Sequence, residues 1–235
     1  IQPTLLQQPD LEQENYTELL WLFEGITSYY DDLLLVRAGV ISVVEYLDML
    51  AQQITRYMKG LGRFKQTVTE SSLDAWSKYY KPDENTPNSV VSYYVKGALV
   101  ALCLDLKLRQ LSDQNISLDM VMQQLWENYG KVGKGVNNNT IQNICYSLIN
   151  TDMTEFFKQS LYSTEELPFV TLLSEQGVQL SYKYDNNKQH AVACLGVRGQ
   201  MAEGGYQLQN IWHGGAADLG GLSAGDVIVA VDGLK

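Results

Sequence analysis

Histidine is almost missing from this chain of 235 residues: only His190 and His213 occur. Each stands alone, one beside NNKQ and the other beside a GG pair, and a lone loop histidine is ordinarily solvated rather than a ligand. Cysteine is scarce too. Cys103, Cys145 and Cys194 are odd in number, widely spaced and flanked by apolar residues. That pattern suits reduced, buried thiols, argues against a disulfide framework or a cysteine-built zinc site, and leans toward the cytoplasm. Basic residues are outnumbered, 17 Lys and Arg against 27 Asp and Glu, for a formal charge of −10. Duplex nucleic acid and anionic membrane surfaces would be repelled on average, so no nucleic-acid partner is expected.

Long apolar runs are also lacking. No uninterrupted stretch reaches bilayer length, so no membrane span is expected, and the N-terminus IQPTLLQQPDLEQEN has neither a basic start nor an apolar signal core. The start at Ile1 rather than Met suggests upstream sequence. No G-x-S-x-G, C-x-x-C, Walker or dinucleotide fingerprint occurs. The glycines Gly214, Gly215, Gly220 and Gly221 lack the lysine or following helix that cradles phosphate.

What is present is a folding sequence, 45% hydrophobic and 19% charged, which excludes intrinsic disorder as the dominant state. From about residue 16 to residue 173, apolar residues recur at three- and four-residue spacing, which predicts an all-helical region. Helices are expected over residues 14–37, closing at Gly39, and over 43–58, ending in KGLG. Ser71 and Ser72 are read as the capping start of a short helix over DAWSKYY, followed by a turn through KPDENTPN. A long helix over 91–111 and shorter ones over 118–129, 140–148 and 153–161 follow, with Ser117 and Asn139 as caps. Beyond residue 173 the runs VQLSYKY, AVACLGV and YQLQNI are divided by turn formers and read as strands. The expected fold is a mainly α lobe over residues 1–175 followed by a small β-rich unit over 176–235.

Within LLWLFEGITSYYDDLL, Glu24 sits among Trp21, Phe23, Ile26 and Tyr29, and a carboxylate in such surroundings asks for a partner. It is either a glutamate on the exposed side of the helix or paired with a lysine, or it is a metal ligand. The segment resembles the third-ligand helix of gluzincin-type zinc aminopeptidases, W-x-x-E-G-(F/I)-(A/T)-x-Y, with Trp21, Glu24, Gly25, Ile26, Thr27 and Tyr29 in place. Further on, VSYYVKGALVALCLDL resembles the S-Y-x-K-G-A segment of the same enzymes, whose tyrosine donates to the oxyanion of the tetrahedral intermediate. Here that residue is Tyr94, although a buried helix tyrosine with a satisfied hydroxyl is the commoner fate of any one of the 15 present.

Together with TEELPFVTLLSEQGV, these blocks resemble the glycyl aminopeptidase family with a C-terminal PDZ domain. GGAADLGGLSAGDVIVAVDG resembles the bacterial PDZ signature, with Leu195, Gly196 and Val197 in place of the carboxylate-binding loop. The resemblance implies the C-terminal part of a gluzincin catalytic domain, peptide substrates with N-terminal glycine or alanine, and a zinc cofactor with Glu24 as third ligand. It also implies a peptide C-terminus as partner of the PDZ part. The family's H-E-x-x-H motif occurs nowhere in the chain and is expected shortly upstream. The chain is accordingly expected to need that upstream part of its catalytic domain, to be inactive alone, and to carry a truncated PDZ unit. Tyr30 and Tyr93, one position from a key residue each, are expected to face elsewhere. Asp83 and Glu84 either hold a substrate amino group or belong to a solvated turn. The alternative function is a non-catalytic helical scaffold carrying a peptide-binding module.

Overall fold

A computed structural model describes residues 1–182 and 194–234. Its centre is α5 (Tyr93–Leu111), whose sequence is apolar all round and is accordingly buried all round. Leu99, Val100, Ala101, Cys103, Leu104 and Leu108 are completely inaccessible. The run Thr86–Leu111, interrupted by Lys96 and Asp105, is long and apolar enough by mean hydropathy to cross a bilayer, but 72% of its most apolar window is buried within the protein. Ser92 starts α5, its hydroxyl accepting from the Val95 amide at 3.3 Å.

Around α5 stand α1 (Ile26–Arg37), α2 (Val43–Lys59), α3 (Val68–Leu73), α6 (Leu118–Leu125), α7 (Thr140–Ile149) and α9 (Phe169–Glu175), with α8 (Thr154–Tyr162) packed on α3. The short α4 (Thr86–Ser89) precedes α5. Asp105 ties the layers together, accepting from Tyr29 Oη at 2.9 Å, the Leu118 amide at 2.6 Å and Arg109 Nε at 3.1 Å. Burial first, and then the Asp105 charge, hold the Tyr29 hydroxyl firmly protonated.

The helix expected from residue 14 begins only at Leu20. Upstream, Asp10 accepts from the Glu12 amide and from Gln13, while the Asn15 amide donates to the Asp10 and Gln13 carbonyls. These local side-chain bonds compete with the helical ladder and win. Ser71 and Ser72 are not caps either. Thr67 caps α3 in a capping box with Glu70, and the two serines lie buried inside the helix, donating to the Val91 and Val68 carbonyls. Ser117 and Asn139 occupy cap positions without side-chain cap bonds.

After α9, Gly177 adopts a left-handed φ of +79° and Val178 and Leu180 pack back onto the helical core. Their alternation covers that core, so residues 178–182 form no strand. The remainder of VQLSYKY and the first three residues of AVACLGV lie outside the described residues. β1 (Val197–Ala202), β2 (Gly205–Ile211) and β3 (Val227–Ile228) form an antiparallel sheet in the order β1-β2-β3. With α10 (Ala216–Leu219) it encloses a separate small core of Leu208, Ile211 and Ala217. Asn88, at the end of α4, joins helices to sheet: Nδ2 donates to the Ile211 carbonyl at 2.7 Å and Oδ1 accepts from the His213 amide at 3.1 Å.

Candidate functional site

Glu24 lies in a π-helical turn, Trp21–Gly25, that leads into α1. Such turns insert one extra residue and recur at functional sites because they redirect a side chain. Two contacts hold this one. The Trp21 amide donates to Ser72 Oγ at 3.1 Å, and Gly25 meets Gly97 of α5 backbone to backbone. A Cβ at Gly25 would stand 2.6 Å from the Gly97 backbone, and one at Gly97 would stand 2.9 Å from the Gly25 Cα and the Trp21 carbonyl. Only two glycines permit that approach, because no neighbour could shift without moving a helix.

The crossing fixes what lies beside it. Glu24 precedes Gly25 by one residue, and Tyr94 precedes Gly97 by one helical turn. The Tyr94 hydroxyl is pushed up to about 12, first by its hydrogen bond with Tyr80, then by burial and by the negative charge of Glu24. The Gly25 and Gly97 crossing thus puts the segments that carry the two sequence-predicted residues side by side. Glu24 is half-buried, and among the described residues its carboxylate has no ion-pair partner, so the lysine-paired reading finds no lysine.

Tyrosines surround Tyr94. The Tyr93 ring stacks on it with centroids 4.6 Å apart, and the Tyr79 ring stands 5.9 Å away. Tyr93 Oη donates to Tyr80 Oη at 3.1 Å, which in turn lies 3.4 Å from Tyr94 Oη. Tyr93 thus does not face elsewhere, as helix geometry alone suggests; ring length lets it lean over its neighbour. Tyr30 does face away, donating to Asp119 at 2.7 Å. Tyr79 and Tyr80 escaped the sequence reading, since nothing in KYYKPDEN distinguishes a site tyrosine from a turn one.

Lys96, on the same turn of α5, is wholly inaccessible and donates to the Ser163 carbonyl at 3.3 Å. Burial pulls its ammonium down to about 8 against the opposing pull of Glu166 and Glu70. Asp83 belongs to its turn, its carboxylate accepting from the Asn85 amide and the Thr86 hydroxyl at 3.0 Å each. His213 is exposed, and His190 lies outside the described residues. Cys103 and Cys145 are buried thiols, but Cys194 is exposed, because the β unit is too thin to cover it.

Among the described residues no group of three or more His, Cys, Asp and Glu side chains converges. A half-buried carboxylate without a counter-ion is a donor that zinc accepts, so Glu24 would fit one ligand position. In the sheet, Gly196 takes a φ of +70°, Leu195 is exposed and Val197 begins β1. The Leu195 and Gly196 carbonyls accept from the Ala217 and Trp212 amides at 2.9 Å, which pins the loop.

Comparison with known proteins bears on the family. Residues 1–100 match the family model of the M61 glycyl aminopeptidases. The whole chain superposes on the crystal structure of an aminopeptidase N family protein from Idiomarina loihiensis, with a TM-score of 0.92 and 40% identity, covering 100% of this chain and 42% of that one. The chain thus spans less than half of that protein's length. No curated protein matches it. Over residues 1–100 the chain is thus similar to the glycyl aminopeptidases, a family of peptidases.

Proposed function

From that similarity, we propose that the chain contributes Glu24 as a zinc ligand and Tyr94 as an oxyanion donor to a zinc-dependent aminopeptidase that removes N-terminal residues, glycine or alanine by preference. The observation that supports this is the meeting of Glu24 and Tyr94 at the Gly25 and Gly97 crossing. Zinc, when bound, supplies a water acidified enough to attack a peptide carbonyl. Glu24 would hold the metal from a turn that cannot slide, because its backbone abuts α5. Tyr94 remains protonated at neutral pH and donates a hydrogen bond where negative charge develops on the carbonyl oxygen. Tyr80, accepting from Tyr93, fixes the direction of the Tyr94 hydroxyl. The chain alone supplies one ligand and is expected to hydrolyse nothing.

Residues 1–175 are the helical lobe of this catalytic domain in the proposal, and residues 176–235 a PDZ-like unit. Supporting the latter are its separate core, the pinned loop at Leu195, Gly196 and Val197, and β1 as an edge strand to which a peptide C-terminus could add.

The test is the zinc content of the full-length protein beside its Glu24→Gln variant, with turnover of the Tyr94→Phe variant. Loss of zinc in the first, and a fall in kcat of about 10²–10³ with zinc retained in the second, are expected. Equal zinc in wild type and Glu24→Gln removes the ligand role and leaves the non-catalytic scaffold as the better reading.

A further inference from the structure

Tyr79, one member of the tyrosine cluster, lines one end of a cleft of about 830 Å³ that runs from Tyr79 and Ser92, between α2 and α4, to Arg198 on β1 and Trp212 just after β2. Its charge is opposite to that of the whole chain. Arg56, Lys59, Arg63 and Arg198 line it against a single carboxylate, Asp48, in a protein of formal charge −10. Arg63 is committed to Glu166 at 3.0 Å and to the Gly60 carbonyl at 2.9 Å. Arg56, Lys59 and Arg198 are exposed and, among the described residues, in no ion pair. Tyr57, which also lines the cleft, has a buried hydroxyl with no hydrogen-bond partner among the described residues.

Like charges gathered in one concavity repel each other, and the arrangement is favourable only when an anion shares the space. The cleft is large enough for several residues of extended chain, and it opens one ring away from Tyr94, the Tyr79 ring being 5.9 Å from that of Tyr94. We propose that this cleft binds the carboxylate-bearing segment of a peptide substrate, so that acidic residues downstream of the scissile bond lie between Arg56 and Lys59 on α2 and Arg198 on β1. The substrate part of this assignment rests on the peptidase reading above; the preference of the cleft for an acidic peptide does not.

The experiment titrates the 235-residue chain, without zinc, into a fluorescein-labelled Ala-Gly-Ser-Glu-Asp-Glu-Asp peptide and into its counterpart with every Glu and Asp replaced by Gln and Asn, read by fluorescence anisotropy. The acidic peptide is expected to bind about tenfold more tightly, with the advantage shrinking as salt rises. Arg56→Glu and Arg198→Glu, both exposed and on opposite walls, are each expected to weaken it about tenfold, while Lys158→Glu, exposed on α8 and outside the cleft's lining, leaves it unchanged. Equal affinity for the two peptides, or equal loss in all three variants, overturns the proposal. Because no metal or turnover enters the measurement, its failure leaves the Glu24 and Tyr94 reading standing. Unchanged zinc in Glu24→Gln would sink that reading without touching the cleft.

Discussion

Two junctions hold the functional parts of this molecule in place, and they are made in opposite ways. At the crossing of the first π turn with α5, Gly25 and Gly97 touch backbone to backbone with no room for a methyl group. Between helices and sheet, asparagines serve: Asn88 gives a hydrogen bond to Ile211 and takes one from His213, and Asn210 of β2 gives one to the Glu84 carbonyl. The first junction is steric and has one solution. The second is polar, and water can replace each of its bonds. Glu24 and Tyr94 depend on the first, and the basic cleft, with Arg198 on its far wall, depends on the second.

The most damaging single change should be Gly25→Val. Its Cβ would press on backbone and not on a side chain that could turn aside, which costs ~3 kcal/mol and lowers Tm by about 6–12 °C. A calorimetric scan that finds the variant as stable as wild type would break the contrast, since it would show that α5 can retreat.

Lys96 probes the same crossing through pH. Its folded pKa, about 8, lies below that of an unfolded lysine. The unfolded state therefore binds more protons between pH 8 and pH 10, and the stability of the wild type rises through that window. Below pH 8 the full cost of burying the charge, on the order of 3 kcal/mol, is borne. Lys96→Met removes this dependence, so denaturant unfolding should show the variant's advantage narrowing as pH climbs from 8 to 10. A constant difference would mean that Lys96 is solvated in the folded state.

The mildest effect belongs to the polar junction. Asn88→Ala leaves the Ile211 carbonyl and the His213 amide without protein partners, worth about 1 kcal/mol once water reaches them. The main melting transition should hardly move, while limited proteolysis between helices and sheet accelerates. If Tm instead falls as far as in Gly25→Val, the two junctions are of one kind.

Sequence reading captured the elements whose signals are local. The apolar periodicity from residue 91 onward located α5 to within two residues, and α7 and α8 nearly as well. It failed where side chains answered to something else: at residues 14–19, where Asp10 and Asn15 form turns; at Ser71 and Ser72, which buttress other segments; and at Val178 and Leu180, whose strand-like alternation covers helices. Glu24 and Tyr94 stood out through the segments around them. Tyr80 did not, because its place near Tyr94 arises from the fold of a turn that proline and asparagine only outline. The basic cleft was equally invisible, since its cations come from α2, from the segment after it and from β1, and no one segment is notably basic.

The glycine pair also sets an order of events during synthesis. Gly25 leaves the ribosome long before Gly97, and until α5 has formed nothing holds the Glu24 turn against Tyr94. A nascent or partly unfolded chain therefore presents a carboxylate and a phenol that have not met, and their juxtaposition becomes a late consequence of completed tertiary structure.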